Sequence, residues 1–286
     1  MTEDVRPYRS VLYIPGSKDR ALDKVRSLPA DAIIFDLEDA VAADEKTNAR
    51  ATLAAALAEG GYGARARIVR VNGLDTDWGR EDIAMAAKAK PDAILLPKVG
   101  RAADLDAVAD LAPGVDLWAM IETPAGILHA EEIAAHPRLT GMVMGTNDLA
   151  KELNCRFRAD RLPLITSLQI ALLAARAHGV VCVDGVYNAF KDEDGLRAEC
   201  EQGRDMGFDG KSLIHPAQLA VANATFAPSE DEVDLARRQI EAFESAEAEG
   251  QGVAVLDGRI VENLHVATAR ATLARAAAIT ALELAQ

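Results

Sequence analysis

The chain has 286 residues, half of them apolar, only 4% aromatic, with a formal net charge of −14. That length exceeds the usual single-domain size but suits one α/β barrel, and the apolar half suffices for a large core packed mainly with Ala, Leu, Val and Ile. The acidity argues against binding nucleic acid or an anionic membrane, since either needs a basic face. Solubility alone also accounts for it. Three cysteines (Cys155, Cys182, Cys200) are odd in number and lack C-x-x-C spacing, which disfavours a disulfide framework or a zinc site. No apolar h-region follows Met1, and no stretch approaches the roughly 18 apolar residues of a membrane span, so the chain reads as soluble and cytoplasmic.

Strand-like runs begin near Val11, Ala32, Arg67, Ala93, Leu117, Gly141, Val180 and Gly210. Between them lie helix-patterned, Ala-rich segments such as Asp44–Glu59, Ala102–Leu111, Ala125–Ala135, Leu164–His178 and Asp192–Met206. Eight alternations imply parallel strands joined by right-handed crossovers. A doubly wound sheet is the competing fold, but Pro15-Gly-Ser-Lys18 after the first strand is not the glycine fingerprint expected there. The count of eight favours a closed (β/α)8 TIM barrel with a C-terminal helical extension, residues 1–225 forming the catalytic barrel and 226–286 the extension. In the extension, Ser229 and Glu232 have capping-box spacing and open a helix to about Glu249. Gly250-Gln-Gly252, a short strand-like Val253–Leu256, a tight turn at Asp257-Gly258 and a last helix from about Asn263 follow.

In barrel enzymes the chemistry sits where strands end and helices begin. Those endings are rich in polar groups: Pro15-Gly16-Ser17, Asp36-Leu-Glu38-Asp39, Arg70-Val-Asn72, Pro97-Lys98, Glu122-Thr-Pro124, Gly145-Thr-Asn-Asp148, Asp184, and Lys211 with His215. Glu122 closes Leu117–Glu122, and Asp148 is read as closing Gly141–Asp148. An acid at the end of a buried strand needs a partner, and two acids converging on one barrel mouth form an all-oxygen site for Mg2+ or Mn2+. The bland alternative is that each acid only complements the next helix dipole, with Thr146 or Asn147 as a cap.

Arg70 ends an apolar strand and suits a substrate carboxylate or a developing oxyanion. A structural ion pair with Glu38 or Asp39 is its alternative role, and Glu38 is a candidate to orient Arg70 and to bond metal-bound water. The backbone N–H groups of Gly145, Thr146, Asn147 and Asp148 offer a small-anion pocket. Lys18, Arg20, Lys24 and Arg26 form either a phosphate clamp or a solvated helix face. His215, before Pro216, suits a helix start or packing at least as well as catalysis.

Together, Val11-Leu-Tyr-Ile-Pro-Gly16, Phe35-Asp-Leu-Glu-Asp-Ala-Val41, Arg70-Val-Asn72, Leu96-Pro-Lys98, Ile121-Glu-Thr-Pro124, Gly145-Thr-Asn-Asp-Leu149, Gly207-Phe-Asp-Gly-Lys211 and Ile214-His-Pro216 resemble the citrate lyase β-subunit-like (HpcH/HpaI aldolase) family, in order and over nearly the whole chain. That family includes malyl-CoA lyases and a malyl-CoA thioesterase branch. The resemblance implies that Glu122 and Asp148 ligate Mg2+ and that Arg70 holds a substrate oxygen. It also implies that Pro15, Lys18, Arg20 and Lys24 lie against CoA, and that Ile214 and His215 line the same pocket. It further implies a homotrimer or hexamer in which the C-terminal segment reaches a neighbour's active site. Lyases of the family carry an aspartate in that segment, where this chain has Glu262 in Gly258-Arg-Ile-Val-Glu262. With Val183–Asn188 and Ile260–His265, that departure brings the text closer to the thioesterase branch. The expected reaction is Mg2+-dependent cleavage of a malyl-CoA-type thioester, hydrolysis to malate and CoA, with Glu38 or Glu262 as base. The alternatives are a malyl-CoA or citramalyl-CoA lyase, and a citrate lyase β-like subunit acting on an acyl-carrier protein.

Overall fold

The computed structural model describes residues 6–286, so the reading of the Met1–Val5 terminus lies outside the described residues. These residues fall into two compact units, one of Tyr8–Phe226 with Gln286, the other of Ala227–Ala285 with residues 6 and 7.

In the first unit eight parallel strands close into a barrel in sequence order: β1 (Ser10–Pro15), β2 (Ala32–Asp36), β3 (Ala66–Arg70), β4 (Ala93–Leu96), β5 (Asp116–Ile121), β6 (Leu139–Met144), β7 (Val181–Asp184) and β8 (Gly210–Leu213). Each begins within two residues of the position read from the sequence. The helices are α1 (Asp19–Lys24), α2 (Lys46–Glu59), α3 (Gly79–Ala89), α4 (Ala102–Leu111), α5 (Pro124–Leu128), α6 (Ala130–Ala134), α7 (Thr146–Glu152), α8 (Ile165–His178), α9 (Glu193–Met206) and α10 (Leu219–Phe226). Segment Ala125–Ala135, expected as one helix, is two. The backbone leaves helical geometry at His129, whose ring Nδ1 lies 2.9 Å from the Gly100 carbonyl and 3.0 Å from that of Ala125. Gly179 and Gly207 end α8 and α9 at positive φ, as left-handed caps that glycine takes freely.

Side chains alternate along each strand with period two, and this sorts the core into two layers. Val11, Ala32, Ile34, Ala66, Ile68, Ala93, Leu95, Trp118, Met120, Val143 and Val183 fill the barrel interior. Leu12, Ile33, Phe35, Val69, Ile94, Leu96, Met142 and Cys182 face the helices. Gly141 makes room for the largest interior group: a Cβ there would lie 2.5 Å from Trp118 Nε1.

The second unit holds α11 (Glu230–Ala248), the hairpin β9 (Ala254–Leu256) and β10 (Arg259–Val261), and α12 (Asn263–Leu284). Ser229 caps α11 in a capping box with Glu232. Asp257 and Gly258 turn the hairpin at φ of 50° and 75°, the doubly positive φ that an Asp-Gly pair supplies. Phe243, Ala246, Ala254, Val261 and Val266 form its core. Among the described residues no helix is long and apolar enough to cross a membrane.

Candidate active site at the barrel mouth

Strand parity builds the site. Asp36 continues the inward series Ala32, Ile34; Arg70 continues Ala66, Ile68; Glu122 continues Trp118, Met120; and Tyr13 follows Val11. All four line one cavity of ≈ 330 Å³, together with Pro15, Asp39, Gly145, Thr146, Asn147, Asp148 and Ile214.

Arg70 is buried and held at all three guanidinium nitrogens. Its Nε and Nη2 donate to the two oxygens of Asp36 at 2.7 and 2.6 Å, a bidentate pair. Nη1 meets Glu38 Oε2 at 2.9 Å and Asp39 Oδ2 at 3.5 Å. The guanidinium stacks 5.0 Å over the Tyr13 ring. The sequence pointed to Glu38 or Asp39 as partners. Both are present, but Asp36 is the principal anchor, because it is the acid on Arg70's own inward layer. Asp36 also accepts the N–H groups of Glu38 (2.9 Å) and Ala40 (3.0 Å), so it shapes the loop after β2. Burial pushes the Glu38 carboxyl up to about 7, against the opposing pull of Arg70.

Glu122 lies just past β5, nearly fully buried. Its Oε1 accepts the Lys98 N–H at 2.8 Å, while among the described residues nothing donates to Oε2. Burial raises this carboxyl to about 7, the Lys98 bond opposing and the Glu38 and Asp148 charges adding to the rise. Gly145 makes the close approach possible, since a Cβ there would lie 2.5 Å from Glu122 Oε2. Asp148 is not the end of a strand, as expected, but the third residue of α7: β6 stops at Met144 and the chain turns helical at once. The N-cap of α7 is Gly145, with no side-chain cap bond, so neither Thr146 nor Asn147 caps it. Among the described residues no group of three or more His, Cys, Asp or Glu is gathered for a metal. What the cavity offers is a two-carboxylate, all-oxygen donor set in which, among the described residues, only Glu122 Oε1 accepts a hydrogen bond. That fits a hard cation such as Mg2+, with other positions left to water or substrate.

The remaining predicted residues divide. Pro15 and Ile214 line the cavity; Lys18, Arg20 and Lys24 are exposed on or beside α1 and form no ion pair among the described residues. Arg26, the fourth cation there, pairs with Glu59. His215 caps the turn at Pro216–Gln218, its Nδ1 accepting the Ala217 N–H, and stacks on Phe190 at 4.5 Å. It is not among the cavity-lining residues. Lys211, read as a strand end, is the second residue of β8 and faces outward. It is buried against Asp184 (3.1 Å) and Glu199 (2.7 Å), and Arg161 completes that cluster 2.7 Å from Asp184. Glu262, in the second unit, is the exposed N-cap of α12, and its N–H donates to His265. Asp36 as anchor and Lys98 as donor to Glu122 were not foreseen. Parity from Ala32 and Ile34 reveals the first. The second depends on backbone conformation, which carries no sequence pattern.

Fold and site define a (β/α)8 barrel with an arginine and two carboxylates at its open mouth. The chain belongs to the HpcH/HpaI aldolase/citrate lyase family, whose model matches residues 9–216. It is 69% identical over 281 residues to a (3S)-malyl-CoA thioesterase of Cereibacter sphaeroides (strain ATCC 17029 / ATH 2.4.9), covering 98% of this chain and 99% of the relative. It is 39% identical to the citrate lyase subunit beta of Escherichia coli (strain K12), covering 95% and 94%. The crystal structure of CitE from Mycobacterium tuberculosis in complex with magnesium, acetoacetate and coenzyme A matches with a TM-score of 0.81 at 30% identity, covering 96% of this chain and 100% of that one.

Proposed function

We propose that this chain is a Mg2+-dependent thioesterase that hydrolyses (3S)-malyl-CoA to malate and free CoA. The observation that carries this reading is the single cavity where Arg70, anchored by Asp36, meets Glu122 and Asp148. Near-full-length likeness to a (3S)-malyl-CoA thioesterase supports the substrate, and a CoA- and magnesium-bound relative supports both ligands.

Glu122 and Asp148 would hold the cation, which supplies Lewis-acid charge when bound; Mn2+ satisfies the same donors. Arg70 stabilises negative charge gathering on the substrate oxygen, and Asp36 fixes the guanidinium so that no reorientation is needed during reaction. Glu38 borders a neighbouring polar cavity and is tied to this one through Arg70; as the base, its carboxyl near 7 would take a proton from water as that water's oxygen adds to the thioester carbonyl. The C–S bond then breaks, and the CoA thiolate leaves and is protonated. Glu262 of a neighbouring copy is the alternative base. Pro15 would border the CoA arm, and Lys18, Arg20 and Lys24 its phosphates. The Gly145–Asp148 turn, with Ile214, would border the acyl group, and His215 would act only by capping the turn that follows Ile214.

We propose a homotrimer or hexamer, with residues 226–286 as the extension that meets the neighbouring subunit, acting in the cytoplasm. The second unit supports this by exposing Val255 (70%) and Ile260 (61%) on the hairpin and Leu264 (63%) at the start of α12, apolar surface that suits a protein contact.

Purified protein with Mg2+ and (3S)-malyl-CoA should yield malate and free thiol. Glyoxylate and acetyl-CoA instead would overturn hydrolysis in favour of a lyase. Glu122→Gln and Asp148→Asn should each weaken Mg2+ binding more than about 100-fold, beyond the effect of losing an outer-shell partner.

A further inference from the structure

Lys98 links Glu122 to Glu38, the proposed base, from outside the lining of the cavity. It follows β4 and Pro97 at φ +53°, a left-handed conformation that glycine would adopt without strain. The site nevertheless carries a lysine there, and both ends of the residue are used. The main-chain N–H donates to Glu122 Oε1 at 2.8 Å. The side chain, 59% exposed, places Nζ 4.0 Å from Glu38 Oε1, while Arg70 holds the other oxygen of Glu38 at 2.9 Å. Lys98 also lines a second, polar cavity of ≈ 500 Å³ with Glu38, Asp39 and Asn72.

We infer that Lys98 is a positioning residue of the active site, its left-handed backbone aiming an N–H at Glu122 and its ammonium steadying Glu38 against Arg70. The two contacts act through different atoms and are separable. The N–H occupies Oε1 of Glu122 and so presents Oε2 toward the cavity. The ammonium's ion pair is with Glu38, and its charge reaches Glu122 and Asp148 more weakly. This inference rests on the proposed metal-dependent hydrolysis.

The test uses the full-length protein, with Mg2+ affinity measured by calorimetry without substrate and kcat and KM measured on (3S)-malyl-CoA. Lys98→Gly and Lys98→Val both remove the ammonium, but only glycine keeps the left-handed backbone without strain. Because both variants lose the same charge, their difference isolates the backbone: Lys98→Val, β-branched at a positive φ, should bind Mg2+ about fivefold or more weakly than Lys98→Gly. Lys98→Met should lower kcat about fivefold, the scale of a partly exposed ion pair, with KM unchanged, and Lys98→Arg should restore kcat. Equal Mg2+ affinity in the glycine and valine variants would overturn the backbone role. Wild-type kcat in Lys98→Met, or a failure of arginine to rescue, would overturn the ammonium role. A wild-type protein that neither binds Mg2+ nor hydrolyses the ester would overturn the functional reading itself, an outcome distinct from both.

Discussion

Removing Asp36 should damage stability and turnover together. Its carboxylate takes two bonds from Arg70, at 2.7 and 2.6 Å, and the N–H groups of Glu38 and Ala40 at 2.9 and 3.0 Å. Taking away one partner of a buried ion pair costs about 3–5 kcal/mol. Glu38 at 2.9 Å and Asp39 at 3.5 Å stay to hold Nη1, so Asp36→Ala should fall at the low end, about 3 kcal/mol. Asp36→Asn keeps the volume and one acceptor but turns an amide N–H2 toward the guanidinium. The loss of one charge-assisted bond should cost about 1.5–3 kcal/mol. If the guanidinium shifts by about 1 Å in either variant, kcat/KM should fall on the order of 100-fold. Urea unfolding followed by circular dichroism gives the first quantity, and a thiol-release assay with (3S)-malyl-CoA the second. An Asp36→Ala protein within about 1 kcal/mol of wild type and with full kcat/KM would refute Asp36 as the anchor of Arg70.

Gly145→Ala meets no backbone penalty, because φ there is −91°, so its effect should be purely steric. The new Cβ would displace Glu122 Oε2, and Mg2+ binding should weaken about tenfold or more with an unchanged far-ultraviolet spectrum; unaltered affinity would refute the packing reading. Asp184 supplies a pH test: burial raises its pKa, but Lys211 and Arg161 outweigh burial and hold it below the ordinary carboxylate range. A depressed folded-state pKa stabilises the fold above the unfolded value of about 3.9, and that stability is lost as pH falls through the lower folded value. Asp184→Asn should therefore be less stable at neutral pH and show a shallower loss of stability below about pH 4, measured as urea midpoints across pH. If a neighbour's extension completes the site, mixing inactive Glu262→Gln and Arg70→Ala proteins under conditions that exchange subunits should restore part of the activity, whereas no recovery would place Glu262 outside the mechanism.

The fold was legible because the barrel's signal is repetitive. Eight short apolar runs, each followed by a helix-patterned or turn-rich segment, leave few topologies open. The site was legible in its chemistry and less so in its local geometry. Arg70 and Glu122 lie at or just past strand ends, where a sequence scan finds them. Asp148 was found by residue type but assigned the wrong element, because Met142-Val143-Met144 and the Thr146–Leu149 turn run together as one apolar-to-polar gradient while the chain changes from strand to helix at Gly145. The Lys98 contact was invisible, since a non-glycine residue at φ +53° announces itself by no pattern of side chains. His215 before Pro216 suits a helix start or packing at least as well as catalysis, and its ring does both of the former, capping through Nδ1 and stacking on Phe190.

Asp36 and Asp184 show what separates a strand-end acid at the cavity from one that supports the fold. Each is the last residue of its strand, each is buried, and each binds an arginine at under 3 Å. Asp36 follows Ala32 and Ile34 on the inward series, so its arginine stands over the barrel interior and lines the mouth. Asp184 follows Cys182 on the outward series, so its partners Lys211 and Arg161 lie against the helix layer, with Gly203 of α9 packed on its carboxylate. A shift of one residue along either strand would exchange these roles, because side chains alternate faces with period two. The interior residues beneath the mouth, Ile34, Ile68 and Met120, thus do more than fill volume: by holding the register of β2, β3 and β5 they determine that Asp36, Arg70 and Glu122 converge on one cavity.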